Sequence, residues 1–374
     1  MAQAASPPAV TRDFQGSMSD SVHEALGNFI KEDGQQSDHP RRIDPPKGID
    51  SNVLGQIADA CNSCQLERAM EIADTLEADS FNDIYEVVPW FDKLPGRLER
   101  VHRVIEACVA PSSSDWKRFD LEAVEAGCFW RRWDATTGAL NVIISWVATG
   151  SMEQVLAYYR DADEAEPLWQ GECWEMRCEH AHGASFQRWL QKEYCTGKTT
   201  EVLVERVLCD CMDHDRPCWV LLEQSPDVEH LTDFAGTWGE FEIQPCPQGA
   251  YRTVMEQSGR VLEPLTPDTV RTTMTMTVHI PALVRWALTD SLLCWGFDMG
   301  SKSTKKSWMH IIEHWDSSGY PRRIQESRDF YKPIHDRISS FLGVQNRGAE
   351  VPSRQPLADI TGFAAKHEQL GDAA

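Results

Sequence analysis

The clearest pattern of apolar and polar positions in the chain lies between Leu265 and Phe297. From Thr273 to Ile280, polar and apolar residues alternate, which places one apolar row on one face of a β-strand. Pro281 then suits the first turn of a helix, because it has no N–H that would need a partner there. Apolar residues recur after it at helical spacing, at Leu283, Val284, Trp286, Ala287, Leu288, Leu292, Leu293 and Trp295. The pattern predicts a long last strand that leads into an apolar helix, and it leaves open whether a cavity separates the two.

Upstream segments predict two hairpins and a helix. GCFWRRWD and ALNVIISWVA, joined by the turn ATTG, form the first hairpin, and EVLVERVLCDCMD and CWVLLEQS, joined by HDRP, form the second. SMEQVLAYYRDADEAEPLW follows the first hairpin and predicts a helix capped by Ser151. GASFQRWLQKEYC fits a helix or a strand. Because short turns separate the later apolar runs, we expect antiparallel strands in succession from Glu201 to Ile280 and an α+β fold in which a curved sheet packs against a long C-terminal helix.

The two ends of the chain differ from this middle region. Residues 1–50 are rich in Ser, Pro, Gly, Gln and Asp and predict disorder, whereas residues 51–112 carry helical periodicity and predict a helical appendage. Pro111 and the serines after it predict a linker, and Ser114 or Asp115 suits the cap of a helix that opens the main domain. We assign 113–318 to that domain and expect 319–374 to be a mostly disordered tail, because it is rich in Gly, Pro and Arg.

Composition narrows the function classes. The chain has 374 residues with 41% hydrophobic residues, which is enough for a sizeable core. Its 36 Lys and Arg against 58 Asp and Glu give a net charge of −22, which disfavours nucleic acid and a standing electrostatic contact with anionic membranes. The 12 cysteines have irregular spacing and the N-terminus has no apolar signal core, so we expect reduced thiols and a cytoplasmic protein without a membrane span.

Candidate catalytic and metal-binding motifs are short. His310, Glu313 and His314 form the HxxEH order of inverted zincins, but no downstream helix offers a third ligand. Further Cys and His residues have ligand chemistry without a complete spacing pattern, and structural roles are favoured for Cys61, Cys64, Cys173, Cys178, His180, His182, Cys209, Cys211, His214 and Cys218. Nucleophile-elbow, P-loop and Rossmann patterns do not occur. We therefore predict no catalytic residue, no cofactor and no metal.

The order of elements from about Trp116 to Trp315 resembles a START-type (StAR-related lipid-transfer) domain. The segments that carry the resemblance are ISWVATGSMEQVLAYYRDADEAEPLW, VERVLCDCMDHDRPCWVLLEQS and the block from Tyr251 to Thr289. The resemblance implies a helix-grip fold, in which a curved antiparallel sheet grips a long C-terminal helix. It also implies a closed cavity for one sterol, phospholipid or other apolar molecule.

A cavity of this kind needs apolar walls and a few polar groups at one end. The wall candidates are large apolar side chains on the predicted strands and the last helix, namely Trp130, Trp219, Leu221, Met255, Met274, Met276, Val278, Trp286 and Leu293. Arg252 and Glu263 are the candidate polar anchors. The pattern does not decide whether the Met face or the Thr face of the last strand looks inward.

These inferences predict a protein that binds a lipid or another apolar small molecule and transfers it between membranes through transient membrane contact. Protein partners are not indicated. Two alternatives remain open, an enzyme of the cyclase or dehydratase type on the same fold and an interaction module without a ligand. A cavity with a convergent acid and base would favour the enzyme, and a filled core would favour the module.

Overall fold

The computed structural model describes residues 51–76, 84, 88, 91–109, 115–122, 124, 127–164, 173–181, 184–192, 198–226, 235–238, 241–253, 258–278 and 289–348. Several predictions fall outside these residues. They are the disorder of 1–50, the helix start at Pro281, the roles of Met255 and Trp286, and the tail beyond 348.

The helices and strands follow an α+β order, in which most helices precede or follow the strands. The helices are α1 (Ser51–Asn62), α2 (Leu66–Ala73), α3 (Leu94–Val109), α4 (Met152–Arg160), α5 (Asp290–Glu313), α6 (Tyr320–Glu326) and α7 (Arg328–Gly348). The strands are β1 (Lys117–Leu121), β2 (Gly127–Trp133), β3 (Leu140–Thr149), β4 (Cys173–Ala181), β5 (Ala184–Lys192), β6 (Thr199–Cys211), β7 (Cys218–Gln224), β8 (Gly236–Trp238), β9 (Phe241–Ile243), β10 (Ala250–Thr253), β11 (Ser258–Thr266) and β12 (Thr269–Val278). Within the described part of the chain, no helix is long and apolar enough to cross a membrane.

One large, curved sheet dominates the fold, as the sequence predicts. Its strand order is β1-β2-β3-β12-β11-β7-β6-β5-β4, and each neighbouring pair in this order is antiparallel. β12 is the fourth of these nine strands and lies between β3 and β11. The last predicted strand is therefore an interior strand that joins β1, β2 and β3 to the rest of the sheet.

The strand succession departs from the prediction at two places. β8 and β9 form a separate two-stranded ribbon, and β10 pairs with β6 in parallel and not antiparallel orientation. The parallel pairing is possible because β6 is longer than β7. The pairs with β10 occupy Thr199 to Val202 of β6, while those with β7 begin at Glu205.

Helices cover both faces of the sheet. α1, α2 and α3 pack on one face, where Val207, Val220 and Val261 are fully or almost fully buried. α4 and α7 pack on the opposite face over Leu208, Trp219, Leu221 and Leu262. Successive side chains of a strand point to opposite faces, so the apolar runs of β6 and β7 serve two cores at once.

Local sequence signals account for several elements. Ser151 caps α4 as predicted: its hydroxyl accepts from the Gln154 N–H, and the Gln154 side chain accepts from the Ser151 N–H, forming a capping box. The ambiguous segment after residue 183 is strand β5, which lies between β4 and β6. The helix expected after Asp115 is wrong, since β1 occupies Lys117–Leu121 and pairs with β2.

The prediction of a mostly disordered tail is wrong for residues 320–348, which form α6 and α7. Ile334, Ile338 and Leu342 recur at intervals of four along α7 and are buried against α4 and the sheet. Tyr331, at the start of the same row, is also buried, and its hydroxyl donates to the buried Asp161 carboxylate. The prediction of disorder followed from the Gly, Pro and Arg content of the tail. Pro333 in particular argues against a helix, although the helix contains it and the apolar row continues past it.

We expect Ile338→Ala to lower the free energy of unfolding by about 3 kcal/mol, because it removes a buried side chain and leaves a cavity under α7. Ser340→Ala, at an exposed position of the same helix, is the matched control and should change it by less than about 0.5 kcal/mol. Urea denaturation followed by circular dichroism measures both. Equal stabilities of the two variants would mean that α7 is not part of the core.

Candidate functional site

A half-enclosed cavity of about 400 Å³ lies between the sheet and α5. This volume falls within the range of roughly 300–1,000 Å³ that is usual for small-molecule sites. Its walls are mostly apolar and aromatic. They are formed by Val124, Ile144, Trp146, Tyr158, Tyr159, Ala162, Trp189, Met274, Met276 and Phe297, and its polar lining consists of Arg206, Glu223, Arg260, Ser301, Thr304 and Lys305.

The Met face of the last strand looks into this cavity. Met274 and Met276 line it, while Thr273 points to the other face of the sheet, where its hydroxyl lies 3.0 Å from the Ser145 hydroxyl. The Cys108 thiol of α3 donates to the Thr273 carbonyl at 3.9 Å on that side. The threonine row therefore meets the N-terminal helices, and the unbranched, polarisable methionines meet the cavity.

Glycines form part of the α5 side of the cavity, beside Phe297, Ser301, Thr304 and Lys305. Gly296 and Gly300 line it, and a Cβ atom built on either glycine would meet no atom within 4 Å. The two ends of α5 are held more closely. Leu293 is buried near the first end, and the Trp308 indole N–H donates to the Thr149 carbonyl at 2.6 Å near the other end.

Three charged side chains on adjacent strands line the cavity on its sheet side. Glu223 of β7 accepts from Arg206 of β6 at 2.8 Å and from Arg260 of β11 at 2.9 Å. Arg206 also donates to the Tyr159 carbonyl of α4 at 2.6 Å. Its guanidinium lies 4.9 Å from the Trp189 ring centroid, and that of Arg260 lies 4.9 Å from the Tyr159 ring centroid.

The ionised form of this triad is strongly favoured. Burial by itself would raise the pKa of Glu223, but the charges and hydrogen bonds of Arg260 and Arg206 outweigh it and lower the pKa of Glu223 to about 2. Burial would lower the pKa of Arg260, yet the Glu223 carboxylate raises it above its usual value. Two guanidinium groups thus share one carboxylate, which leaves one positive charge in excess.

Positive charge in the cavity contrasts with the chain as a whole. Among the described lining residues, Arg206, Arg260 and Lys305 are cationic and Glu223 is the carboxylate, whereas the entire protein carries a net charge of −22. The Trp189 indole N–H in the wall is buried and has no hydrogen-bond acceptor among the described residues. The cavity therefore offers apolar walls together with positive charge and a hydrogen-bond donor, a combination suited to an amphipathic molecule with an anionic or acceptor group.

The predicted wall residues occupy several different environments. Met274 and Met276 line the cavity. Trp219 and Leu221 lie on the same face of the sheet, but α4 and α7 cover them as part of the core. Val278 and Leu293 pack together beside the cavity, with Val124, Ile144 and Phe297 of its wall. Trp130 packs with Cys128 and Ile143 on the opposite face of the sheet.

The predicted polar anchors are buried ion pairs that lie away from the cavity. Arg252 donates to Glu201 at 2.7 Å, and Glu263 accepts from Arg216 at 2.7 and 2.6 Å. Alternation along β6 and β11 places Glu201 and Glu263 on the face that carries α1, α2 and α3. Their chemistry fits an anchor, but they face the wrong side of the sheet.

Sequence reasoning missed the charged triad and the glycines of α5. A partial signal for the triad was present, since Arg206, Glu223 and Arg260 each lie next to a run of apolar residues within a strand. Charged residues in the interior of a protein are rarely unpaired, so these three residues indicate buried partners but not which residues the partners are. The signal for the cavity was the small-residue spacing of Gly296, Gly300 and Thr304, which recur every four residues on one helix face.

The Cys and His motifs have varied surroundings. Cys209, Cys211 and Cys218 are buried beneath the N-terminal helices, and Cys61 and Cys64 are also buried. His180 lies 2.8 Å from the buried Asp161 carboxylate, whereas His182 is outside the described residues. The ligand atoms of His310, Glu313 and His314 lie within 4.8 Å of one another on α5. The absence of a metal therefore stays a prediction.

No family model and no curated protein matches the chain. Solved structures do match it. Human STARD10 is 14% identical over 64% of this chain and 88% of its own, with a TM-score of 0.44. Human StAR-related lipid transfer protein 5 is 12% identical over 57% of this chain and 97% of its own, with a TM-score of 0.38. A STAR-related lipid transfer protein from Xanthomonas axonopodis is 11% identical over 48% of this chain and 93% of its own, with a TM-score of 0.34.

These proteins bear the name of the family that the sequence resembles. The similarity concerns the fold, and the ligand of this chain has to be inferred from its own cavity.

We expect Glu223→Gln to lower the free energy of unfolding by about 3 kcal/mol at pH 7, because two buried guanidinium groups lose their counter-charge. The folded pKa of Glu223, about 2, lies below its ordinary value of 4.5. Its stabilising contribution is therefore complete above pH 4.5 and is lost as the pH falls toward 2. The stability difference between wild type and variant should narrow over that interval, as measured by urea denaturation at several pH values.

Glu242→Gln is the matched control, since Glu242 lies on β9 and is exposed. It should leave stability and its pH dependence nearly unchanged. A difference between wild type and Glu223→Gln that stays constant down to pH 3 would show that Glu223 is not held ionised by the two arginines.

Proposed function

We propose that the protein binds one amphipathic, lipid-like molecule in the cavity beneath α5. Its apolar body would lie against the aromatic and methionine walls, and its anionic or acceptor group would contact Arg260 and the Trp189 N–H. The observation that carries the proposal is the enclosure of the Arg206–Glu223–Arg260 triad in an apolar cavity of about 400 Å³.

The driving force would be desolvation. Each methylene group that moves from water into an apolar environment gains about 0.8 kcal/mol, so an acyl chain of about ten methylenes gains about 8 kcal/mol before the costs of association. An anionic group would at the same time balance the excess positive charge of the triad. This interaction is stronger inside the protein than in water because the surroundings screen it less.

We further propose that the ligand enters and leaves past the middle of α5, where transient contact with a membrane would allow transfer. Leu292, Trp295 and Met299 form an apolar stripe on α5 with exposures of 45%, 63% and 49%. The stripe lies on the side of the helix opposite Phe297 and Trp308, which face the cavity and the sheet. Lys302 and Lys306 continue it with positive charge, as in helices that lie at a membrane interface.

The geometry favours binding over catalysis. Catalysis of the cyclase or dehydratase type needs an acid and a base that converge on the substrate. Glu223 is the carboxylate among the described lining residues, and its low pKa and two arginine partners make it a poor proton acceptor at neutral pH. An interaction module without a ligand would have a filled core, which the volume beneath α5 disfavours.

Native mass spectrometry of the protein after incubation with a lipid extract tests the binding proposal. We expect one bound molecule per chain, of the fatty-acid or anionic-phospholipid class. A spectrum without any bound mass would contradict the proposal, and a bound neutral sterol would contradict the assignment of an anionic group.

Gly300→Leu should fill part of the cavity and weaken ligand binding at least about tenfold, which corresponds to ~1.4 kcal/mol. It should not destabilise the fold, because leucine has a higher helix propensity than glycine and a Cβ at this position meets no atom within 4 Å. Gly55→Leu is the control, since Gly55 is an exposed glycine within α1 with equally open surroundings. Equal ligand retention by both variants would place the ligand elsewhere.

Trp295→Ala together with Met299→Ala should slow ligand transfer between vesicles several-fold while leaving equilibrium binding unchanged, because both side chains point away from the cavity. Ser303→Ala, at an exposed position of the same helix, is the control. Transfer of a fluorescent fatty acid from donor to acceptor vesicles provides the rate. Unchanged rates in the double variant would remove α5 from the proposed membrane contact.

A further inference from the structure

A second group of chemically active side chains lies on the other face of the sheet. Glu67 of α2, His102 of α3 and His214 of the turn between β6 and β7 converge there. The carboxylate oxygens of Glu67 lie 2.8 Å from the His102 Nε2 atom and 2.8 Å from the His214 Nε2 atom. The two imidazole ring centroids are 6.2 Å apart.

Packed neighbours fix the backbone of all three residues. Leu66, next to Glu67, and Ala69, two residues after it, are buried, and Val101, beside His102, is fully buried. His214 follows the buried Cys211, whose carbonyl accepts from the His214 N–H at 3.2 Å. Rigid elements position side chains more accurately than mobile loops, so the convergence of the three groups is built into the core.

We propose that Glu67, His102 and His214 bind a divalent transition-metal ion, with Zn²⁺ as the best match. Two imidazole nitrogens and one carboxylate oxygen are ligands that Zn²⁺ prefers, and their three ligand atoms already lie within 4.8 Å of one another. In a tetrahedral site they would be about 3.3 Å apart, which requires only small side-chain shifts. The side chains of His102, Glu67 and His214 are 54%, 35% and 28% exposed, so water can complete the fourth position.

Coordination defines the protonation state of each ligand. Each Nε2 atom gives its lone pair to the metal and each ring carries its proton on Nδ1, while the carboxylate binds in its ionised form. The net charge of −22 favours cation binding in general, but the ligand set gives the site its selectivity.

The HxxEH motif of α5 is the competing cluster. His310, Glu313 and His314 come from a single stretch of helix, and the His314 Nδ1 atom already lies 2.9 Å from the His310 carbonyl oxygen. The ligands of the proposed site come instead from three elements, separated by 35 residues between Glu67 and His102 and by 147 between Glu67 and His214. A metal there joins α2 and α3 to the sheet and acts as a structural clasp on the face opposite the cavity.

Titration calorimetry with ZnCl₂ on the chelator-treated full-length protein tests the proposal. We expect one tight equivalent of Zn²⁺, and the double variant His102→Ala/His214→Ala should bind it at least 100-fold more weakly. The variant His310→Ala/His314→Ala is the matched control and should retain it. Zn²⁺ at 100 times its Kd should raise the Tm of the wild type by about 4 °C and leave that of His102→Ala/His214→Ala unchanged.

Glu67→Gln provides a second test if the double variant does not fold, because it keeps the shape of the side chain and removes its charge. It should weaken Zn²⁺ binding at least tenfold, and the visible absorption of bound Co²⁺ should lose its tetrahedral intensity. Undiminished Zn²⁺ binding by Glu67→Gln, or loss of binding in His310→Ala/His314→Ala alone, would overturn the assignment. Ligand retention beneath α5 is a separate readout, so failure of this proposal leaves the binding proposal intact.

Discussion

The fold depends on one constraint, which is that the central strands of the sheet are apolar on both faces. β6 and β7 bury nearly every side chain, so neither face can meet water, and the sheet has to be covered twice. The N-terminal helices satisfy this requirement on one side, and α4, α5 and α7 satisfy it on the other. The sequence pattern predicts residues 51–112 as an appendage, but α1, α2 and α3 share a hydrophobic core cluster with the sheet. The cavity lies on the opposite face, where the helices do not fill all of the space above the sheet.

Charged residues within the apolar strands follow from the same constraint. Each of them has to be neutralised across strands, because an unpaired charge in a core is strongly unfavourable. Glu205, Glu201 and Glu263 pair with arginines on the face that carries α1, α2 and α3. Glu223 pairs with two arginines at the cavity. Among these clusters of described residues, the one at Glu223 combines an excess of positive charge with open space, which distinguishes a candidate binding site from structural ion pairs of the same chemistry.

The sequence predicts local features of the fold well and their juxtapositions poorly. The hairpins, the cap at Ser151 and the alternation of β12 depend on neighbouring residues, and the structure has all of them. Which residues share a site depends on strand register. Arg206 and Arg260 lie 54 positions apart in the chain, and no local pattern indicates that Glu223 joins them. Arg252 and Glu263 show the same limit. Their residue types suggested polar anchors, but the alternation of side chains along their strands places them on the face away from the cavity.

The charged groups in the cavity and those on the outer surface of α5 differ in how strongly salt screens them. Glu223 and Arg206 are buried, and salt screens buried charges much less than exposed ones. Lys302 and Lys306 stand in solvent on the outer side of α5, where the Debye length at physiological ionic strength is about 8 Å. In the proposed membrane contact, rising ionic strength would therefore weaken the attraction of α5 to an anionic surface more than it would alter the charge balance of the triad. If the proposed function holds, the burial of the triad would make ligand binding much less sensitive to salt than the encounter with a membrane.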